Sequence, residues 1–277
     1  MALLKTALLA AVYGISKFFP ISNQAHLDLL QKILKFHQTI PAFYPMVQLG
    51  ALFAIFAHFS RPILRMLRET VLLFLRLPSA PNRGVLLEEF PHGRMAGFIL
   101  LATVPAVGIH WTFRENLETA FGWLLVSGLA WLVMGLVLIA SRRFQDGTRT
   151  LYEINHHDAF VIGLAQGIAI LPGISRTEFA VLAALFCGMV PTEAVRFSFL
   201  LAVPLLAGSI FLEVEHGVHF FETAPAVLAV SFLTAALMGY LAIGLVLKLV
   251  ERRLFFVFGC YCLLAGLGAL AYNFIPR

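Results

Sequence analysis

Long apolar runs recur along the chain and restrict its fold more than any other feature of the sequence. A helix that crosses a bilayer needs about 20 mostly apolar residues. Only 13% of the 277 residues are charged and mean hydropathy is +0.88, whereas a soluble domain carries roughly 25% charged residues. The sequence therefore predicts an all-α integral membrane protein that forms a single membrane domain over residues 1–277. The six full-length apolar segments cover about 43–59, 94–112, 120–140, 193–213, 225–248 and 254–275.

Two further apolar regions are interrupted by polar residues and are too short to cross as single helices. Region 2–35 is broken at Pro20 to Gln24, and region 159–190 is broken at Pro172 to Thr177. Two half-helices that meet at a polar break form a re-entrant hairpin. The predicted fold therefore has six transmembrane helices plus two re-entrant helical hairpins.

The two breaks also share a spacing that indicates an inverted-topology repeat. Gly14 and Ser22 are eight positions apart, as are Gly167 and Ser175, and each interval contains a proline. We expect repeat one over about 1–140, a cytoplasmic loop at 141–158 and repeat two over about 159–277. Such repeats place a substrate site near the bilayer midplane, where the two breaks meet.

Basic residues are concentrated in three connections and set the expected orientation. Loops 60–94 and 141–158 and the turn from Lys248 to Arg253 are rich in arginine and lysine, whereas loops 113–119 and 214–224 are richer in glutamate. By the positive-inside rule the three basic connections are cytoplasmic. Both termini then lie outside, and the positive charge reflects topology, so no nucleic-acid partner is expected.

The octapeptide L-P-G-I-S-R-T-E at residues 171–178 places polar chemistry at the second break. A half-helix that starts there presents free N–H groups and a partial positive charge, which together favour an anion. Ser175 is placed as the N-cap, and Arg176 offers a bidentate donor for phosphate. In the first break Ser22 is the matching cap, with Lys17 before it and His26 one turn beyond.

Structural alternatives remain open for five of these charged or polar residues, and for Ser22 the alternative is a plain N-cap. Glu178 fits a capping box with Ser175, Lys17 can extend its charge to the interface, and His26 fits an ordinary interior histidine. Arg196 begins a spanning helix and fits an interfacial position equally well. Arg176 lies far from either end of its apolar stretch, and a buried arginine without a partner is costly, so a functional role is favoured for it.

Four motifs resemble the bacitracin-resistance type undecaprenyl-diphosphate phosphatases over essentially the whole chain. The motifs are G-I-S-K-F-F-P-I-S-N-Q-A-H at 14–26, V-Q-L-G-A at 47–51, L-P-G-I-S-R at 171–176 and F-S-F-L-L-A-V-P at 197–204. The resemblance implies six spanning helices and two hairpins in the bacterial cytoplasmic membrane. It also implies removal of a phosphate from the C55 lipid diphosphate that carries cell-wall precursors, at an outward-facing site that uses a divalent cation.

The sequence departs from that family at the positions of its acidic residues. The family's first motif, E-G-x-x-E-F-x-P-x-S-S-T-G-H, has Tyr13 and Lys17 here in place of its two glutamates, and Arg196 replaces a glutamate before F-S-F-L-L. Magnesium needs oxygen ligands, usually carboxylates. Whether the chain is an enzyme is therefore left undecided by the sequence.

Two functional hypotheses follow from the resemblance and its departures. The first is a polyprenyl phosphate-binding protein of lipid-carrier recycling for peptidoglycan synthesis, linked to bacitracin resistance, that translocates the lipid phosphate across the membrane without a metal cofactor. The alternative is hydrolysis of C55 diphosphate by Ser175, Arg176, His26 and Glu178 with Mg²⁺ or Ca²⁺. The expected partners are the polyprenyl lipid and the membrane, with a homodimer left open. The predicted phosphate-binding residues are Arg176, Lys17, Ser175, Ser22, Thr177, Asn23, Gln24 and Arg196.

Overall fold

The computed structural model describes residues 2–34, 42–79, 81–118, 124–169, 173–215 and 223–273. Almost all of these residues are helical. In chain order the helices are α1 (Ala2–Phe18), α2 (Asn23–Ile33), α3 (Phe43–His58), α4 (Ser60–Arg76), α5 (Arg83–Glu89), α6 (Pro91–Glu118), α7 (Leu124–Ala140), α8 (His156–Ile168), α9 (Arg176–Phe186), α10 (Pro191–Glu215), α11 (Pro225–Glu251) and α12 (Phe256–Asn273).

Within the described residues the apolar runs of the sequence form helices, which confirms the all-α integral membrane fold. Four of these helices, α6, α7, α10 and α11, contain apolar stretches long enough to cross a membrane. Helix α3 is shorter and joins α4 through a bend of 87°, and α12 is a shorter apolar helix. Helices α6, α7, α10 and α11 therefore form the spanning part that length alone identifies, and the shorter α3 and α12 coincide with the other two predicted segments.

The basic region predicted as a loop at 60–94 is mostly helical, and that part of the prediction is wrong. Helix α4 places Leu64, Leu67, Val71 and Phe74 at three- and four-residue intervals, and all four side chains are exposed. Because this spacing gives one apolar face opposite the arginines, α4 has the character of a helix that lies in a membrane interface. The charge of the segment hid this period in the sequence.

Each of the two predicted hairpins folds back to the side from which it started. Lys5 at the start of α1 donates a 2.9 Å hydrogen bond to the carbonyl of Leu34 after α2. Arg149 donates to the carbonyl of Cys187 after α9 at 2.8 Å and to Asp158 in the first turn of α8 at 2.6 Å. Because the ends of each helix pair are held together, both pairs are re-entrant as predicted.

Some sequence predictions fall on positions that the structure leaves undescribed. Pro172, the proline of the second break, and Glu222, in the loop 214–224, lie outside the described residues. So do Met1 and residues 274–277, and with them the ends of the chain.

The two hairpins pack against different spanning helices in matching ways. Helix α1 packs along α11, α8 packs along α6, and α7 packs along α12. A Cβ at Gly14 would lie 2.7 Å from the carbonyl oxygen of Ala235 in α11, and a Cβ at Gly167 would lie 3.1 Å from the Cα of Ala106 in α6. Glycine at these two positions lets the backbone of each hairpin approach its neighbour closely.

Candidate functional site

Serine side chains cap the second helix of each hairpin, as the sequence predicts. Ser22 Oγ accepts a hydrogen bond from the Ala25 N–H at 3.5 Å, and Ser175 Oγ accepts one from the Glu178 N–H at 3.4 Å. Each cap satisfies one of the four N–H groups that lack an intrahelical acceptor at a helix start. The helices α2 and α9 therefore both begin inside the molecule with donors and a positive dipole end.

The turn before α9 depends on glycine for its shape. Gly173 has a φ of +90°, a conformation that is costly for residues with a Cβ. A Cβ at this position would also lie 2.6 Å from the Cβ of Ala130 in α7. Gly173 thus lets the second break press against α7 and fixes the direction in which α9 starts.

A cavity of about 260 Å³ lies where the two hairpin breaks meet, and we call it the hairpin-tip cavity. Its wall combines residues from both breaks with Tyr13 of α1 and with Tyr44 and Gln48 of α3. Seven of the eight predicted phosphate-binding residues line it, so the structure brings together side chains that are about 150 positions apart in the sequence. These seven are Lys17, Ser22, Asn23, Gln24, Ser175, Arg176 and Thr177.

Two cations dominate the electrostatics of the hairpin-tip cavity. Lys17 at the end of α1 is half-buried, whereas the Arg176 side chain is exposed, and both line the cavity wall. One guanidinium nitrogen of Arg176 lies 3.3 Å from Nδ1 of His110 in α6. Since no described residue in the lining carries a carboxylate, the two cations and the two helix N-termini make this cavity attractive to an anion.

Asn23 joins the two helices of the first hairpin. Its amide Nδ2 donates to the backbone carbonyl of Tyr13 at 3.0 Å and to Ser16 Oγ at 2.8 Å. The side chain thereby fixes α2 against α1 and places Lys17 and the α2 N-terminus on one wall. Gln24, the next residue, donates to Asp28 at 2.9 Å.

Gln48 was missed as a site residue, although it lies in one of the motifs quoted above. It is 8% exposed, lines the hairpin-tip cavity and donates from Nε2 to Glu213 of α10 at 2.7 Å. The available signal was a polar amide within an apolar spanning segment, where such groups are costly unless they have a partner. Gln48 thus links the cavity wall to an acidic residue outside the lining.

His26 does not line the hairpin-tip cavity. Its Nδ1 lies 2.6 Å from the Ser22 carbonyl oxygen, and its Nε2 lies 2.7 Å from the hydroxyl of Tyr261. The ring also packs 4.9 Å from the ring of Trp131, measured between centroids. Both ring nitrogens are engaged outside the cavity lining, an arrangement that matches the alternative of an ordinary histidine without a catalytic role.

Glu178 is also turned away from the hairpin-tip cavity. The residue is 1% exposed, and neither carboxyl oxygen has a hydrogen-bond partner among the described residues. The capping box with Ser175 therefore does not form, although the serine half of it does. Burial without a partner makes this carboxyl energetically unfavourable.

Arg196, the eighth predicted phosphate-binding residue, is not part of the hairpin-tip cavity. It lines a separate cavity of about 520 Å³ and pairs with Glu193 one turn earlier at 2.6 Å. The prediction included it because it stands where the resembling family has a glutamate before F-S-F-L-L, and its place here matches the interfacial alternative that the sequence left open.

The described residues of the hairpin-tip cavity do not offer the ligands that a divalent cation of the Mg²⁺ or Ca²⁺ type prefers. Such ions are held in proteins chiefly by carboxylates, with carbonyl oxygens in support, whereas the polar side chains here are ammonium, guanidinium, hydroxyl and amide groups without a carboxylate. In the described part of the chain no three His, Cys, Asp or Glu residues are grouped to hold a metal. The donor set therefore does not fit the cation implied by the resemblance.

Comparisons with known proteins agree with the sequence motifs. The family described as "Bacitracin resistance protein BacA" matches residues 6–268. The chain is 32% identical over 277 residues to the "Undecaprenyl-diphosphatase" of Moorella thermoacetica, with all of both chains covered. It is 32% identical over 279 residues to that of Geobacter sulfurreducens, covering 99% of each chain. It is 30% identical over 266 residues to that of Methanosphaera stadtmanae, covering 96% of each.

These matches bear unequally on the two functional hypotheses. All three relatives are named as diphosphatases, which favours the hydrolysis alternative over translocation.

Proposed function

The chain belongs to the bacitracin resistance protein BacA family, and from that premise we propose that it acts on a polyprenyl lipid whose diphosphate headgroup binds in the hairpin-tip cavity. The observation that carries this proposal is the convergence of Lys17, Arg176 and the starts of α2 and α9 on one cavity. A diphosphate carries several negative charges, and each of these four features favours an anion.

The binding chemistry divides between the two cations. Arg176 supplies a planar fork of donors that matches two phosphate oxygens, whereas Lys17 acts as a compact point charge. Ser175 already accepts a backbone hydrogen bond, so its hydroxyl hydrogen remains to donate to a headgroup oxygen. Thr177 and the first N–H groups of α9 complete the cradle on that side.

We propose hydrolysis of undecaprenyl diphosphate as the first activity, because the relatives named above are diphosphatases. Phosphoryl transfer proceeds through a loose transition state, for which the enzyme mainly supplies position and charge stabilisation. Lys17 and Arg176 supply that charge, and water is the nucleophile. Because His26 and Glu178 do not face the cavity, we expect slow turnover that persists in a chelator.

Phosphate release from C55 diphosphate tests this activity. Purified protein in nanodiscs is assayed with EDTA and with Mg²⁺, alongside Arg176→Gln and the matched control Arg253→Gln, whose guanidinium pairs with Asp146 at the surface. The proposal expects release in EDTA that Arg176→Gln lowers by about 100-fold or more, as loss of a charge-stabilising donor does. Absence of release from the wild-type protein under both conditions rejects hydrolysis.

Translocation of the lipid phosphate is the second candidate, and the packing of the hairpins favours it. Each hairpin is closed at its mouth by a basic side chain, and the two contact α11 and α6 through matching glycines, which supports the proposed inverted repeat. Alternating access in such repeats moves one half against the other around a central site. Protein-containing liposomes that expose a labelled headgroup no faster than protein-free liposomes reject this candidate.

We further propose that the arginine-rich face, formed by α4, the 141–155 connection and the Arg252–Arg253 turn, faces the cytoplasm. This orientation places both chain ends on the outer side of the cytoplasmic membrane. Labelling of an introduced Arg253→Cys thiol in intact cells and in open membranes tests it. Labelling of intact cells by an impermeant reagent contradicts the orientation.

A further inference from the structure

The second cavity, which Arg196 lines, has no part in the function proposed so far. It encloses about 520 Å³, twice the volume of the hairpin-tip cavity. Its wall includes His58 at the end of α3, Tyr152 before α8, and both Glu193 and Arg196 in the first turns of α10. These elements all lie at the arginine-rich face, so we call it the basic-face cavity.

The two cavities lie at different depths along the same helix. Gln48 of α3 lines the hairpin-tip cavity and His58 of the same helix lines the basic-face cavity. Ten residues at 1.5 Å per residue separate them by about 15 Å along the helix axis. The cavities are therefore stacked across the membrane.

Three buried phenylalanines connect the walls of the two cavities. Phe18 follows Lys17 of the hairpin-tip cavity and lies edge-on to Phe199, with ring centroids 5.3 Å apart. Phe199 in turn lies 6.4 Å from Phe59, which lines the basic-face cavity. The three residues are 2%, 1% and 6% exposed, so their rings form a buried apolar layer between the two cavity walls.

The chemistry of the basic-face cavity matches a phosphate group attached to an apolar chain. Arg196 is 44% exposed, and its one ion pair in the described structure is with Glu193, which leaves most of its five donors available. His58 Nδ1 is buried without a hydrogen-bond partner among the described residues. Phe59, Leu200 and Leu247 supply apolar wall beside these groups.

We propose that the basic-face cavity is a second binding site for the phosphate headgroup of a polyprenyl lipid, held by Arg196 and separated from the hairpin-tip cavity by Phe18, Phe199 and Phe59. The inference rests on the proposed headgroup binding but not on which activity follows. In the protein without a bound lipid, the carboxylate of Glu193 forms an ion pair with the guanidinium of Arg196. A phosphate that enters competes with this carboxylate, so Glu193 weakens binding and Arg196 strengthens it.

Protection of an introduced thiol tests this site in the full-length protein. Thr150 is exposed and lines the basic-face cavity, so a Thr150→Cys variant in nanodiscs is alkylated with a maleimide, and the extent of labelling at position 150 is read by peptide mass spectrometry. Geranylgeranyl phosphate, geranylgeraniol and inorganic phosphate are the three probes. We expect protection by the lipid phosphate and not by the alcohol.

Paired variants in the Thr150→Cys background give opposite expected shifts. Adding Arg196→Gln should raise the half-protecting concentration by on the order of tenfold to a hundredfold, since a charged hydrogen-bond partner is lost. Adding Glu193→Gln should lower that concentration, and adding Arg253→Gln should leave it unchanged. If Arg196→Gln fails to fold, Glu193→Gln still tests the proposal. A half-protecting concentration that is unchanged or higher in Glu193→Gln overturns it.

The remaining outcomes separate this inference from the proposed function. Protection that survives Arg196→Gln but disappears with Arg176→Gln overturns the second site and leaves headgroup binding in the hairpin-tip cavity intact. Equal protection by geranylgeraniol overturns it too, because the cavity then binds only the chain. Protection by inorganic phosphate at the same concentration as by the lipid phosphate retains the anion site but overturns its assignment to a lipid headgroup.

Discussion

Lys17 is the residue whose identity most changes the chemistry of the hairpin-tip cavity. The resemblance places a glutamate at this position and another at Tyr13, whereas here the pair supplies an ammonium and a phenol to the cavity wall. Replacing a carboxylate with an ammonium changes the local charge by two. In the proposed function the cavity's own side chains neutralise the headgroup, whereas the family pattern would supply oxygen ligands for a cation.

Restoring both acidic residues should restore a metal requirement. In Tyr13→Glu with Lys17→Glu two carboxylates line the cavity, and they supply the oxygen ligands that Mg²⁺ prefers. We expect phosphate release in Mg²⁺ to exceed release in EDTA by about tenfold or more, as metal-assisted hydrolysis does. The matched control is Tyr13→Gln with Lys17→Gln, which should show no such difference. A double glutamate variant that is indifferent to Mg²⁺ shows that the cavity is remodelled beyond these two positions.

Glu178 illustrates the opposite situation, in which a charged residue adds instability. Its carboxyl is buried and unpartnered among the described residues. Replacement by methionine keeps the volume and removes the desolvation cost. We expect Glu178→Met to raise the free energy of unfolding by about 1–3 kcal/mol, measured by thermal unfolding in detergent. A variant less stable than the wild-type protein would show that the carboxyl has a stabilising partner.

At the scale of the helical elements, the two hairpins are held by a basic side chain at the mouth of each. Lys5 closes the first and Arg149 closes the second. Arg149 makes the larger contribution, because it donates hydrogen bonds both to Asp158 and to the Cys187 carbonyl. The Asp158 side chain is 9% exposed. Loss of Arg149 leaves a nearly buried carboxylate and an open hairpin mouth.

Arg149→Met should therefore destabilise the protein by about 2 kcal/mol, the cost of losing hydrogen bonds to a charged group. The control is Arg253→Met, whose ion pair with Asp146 has side chains 69% and 78% exposed. An exposed pair contributes little, so we expect a change within about 0.5 kcal/mol. Both are measured by thermal unfolding followed through tryptophan fluorescence. Equal destabilisation by the two variants would contradict the clamping role of Arg149.

Local features of these elements were predictable from the sequence, and long-range ones were not. Ser22 and Ser175 were identified as caps because capping depends on a serine and the three residues after it. The place of His26 depends on Trp131 and Tyr261, which come from α7 and α12 far along the chain. The helical character of α4 was not predicted because its many arginines obscured the helical spacing of its apolar residues.

For the whole molecule, the main prediction concerned convergence, and the structure assembles most of the predicted set. Pairing of the two breaks brought Lys17 and Arg176 to one cavity, which the matched spacing of Gly14 to Ser22 and Gly167 to Ser175 indicated. The location of Arg196 in a different cavity was not predictable from the sequence. It depends on the depth in the membrane that the tips of the two hairpins reach beside α10. The phenylalanines between the cavities come from three distant elements and left no local signal.

The most direct test of the account is equilibrium binding of geranylgeranyl diphosphate to the purified protein in EDTA. If Lys17 and Arg176 neutralise the headgroup as proposed, the wild-type protein should bind the diphosphate without Mg²⁺ and far more tightly than it binds geranylgeraniol. The Lys17→Met, Arg176→Gln double variant should lose affinity by about 100-fold or more, the effect of removing two charged partners. Binding that requires Mg²⁺, or that persists undiminished in the double variant, would contradict the account.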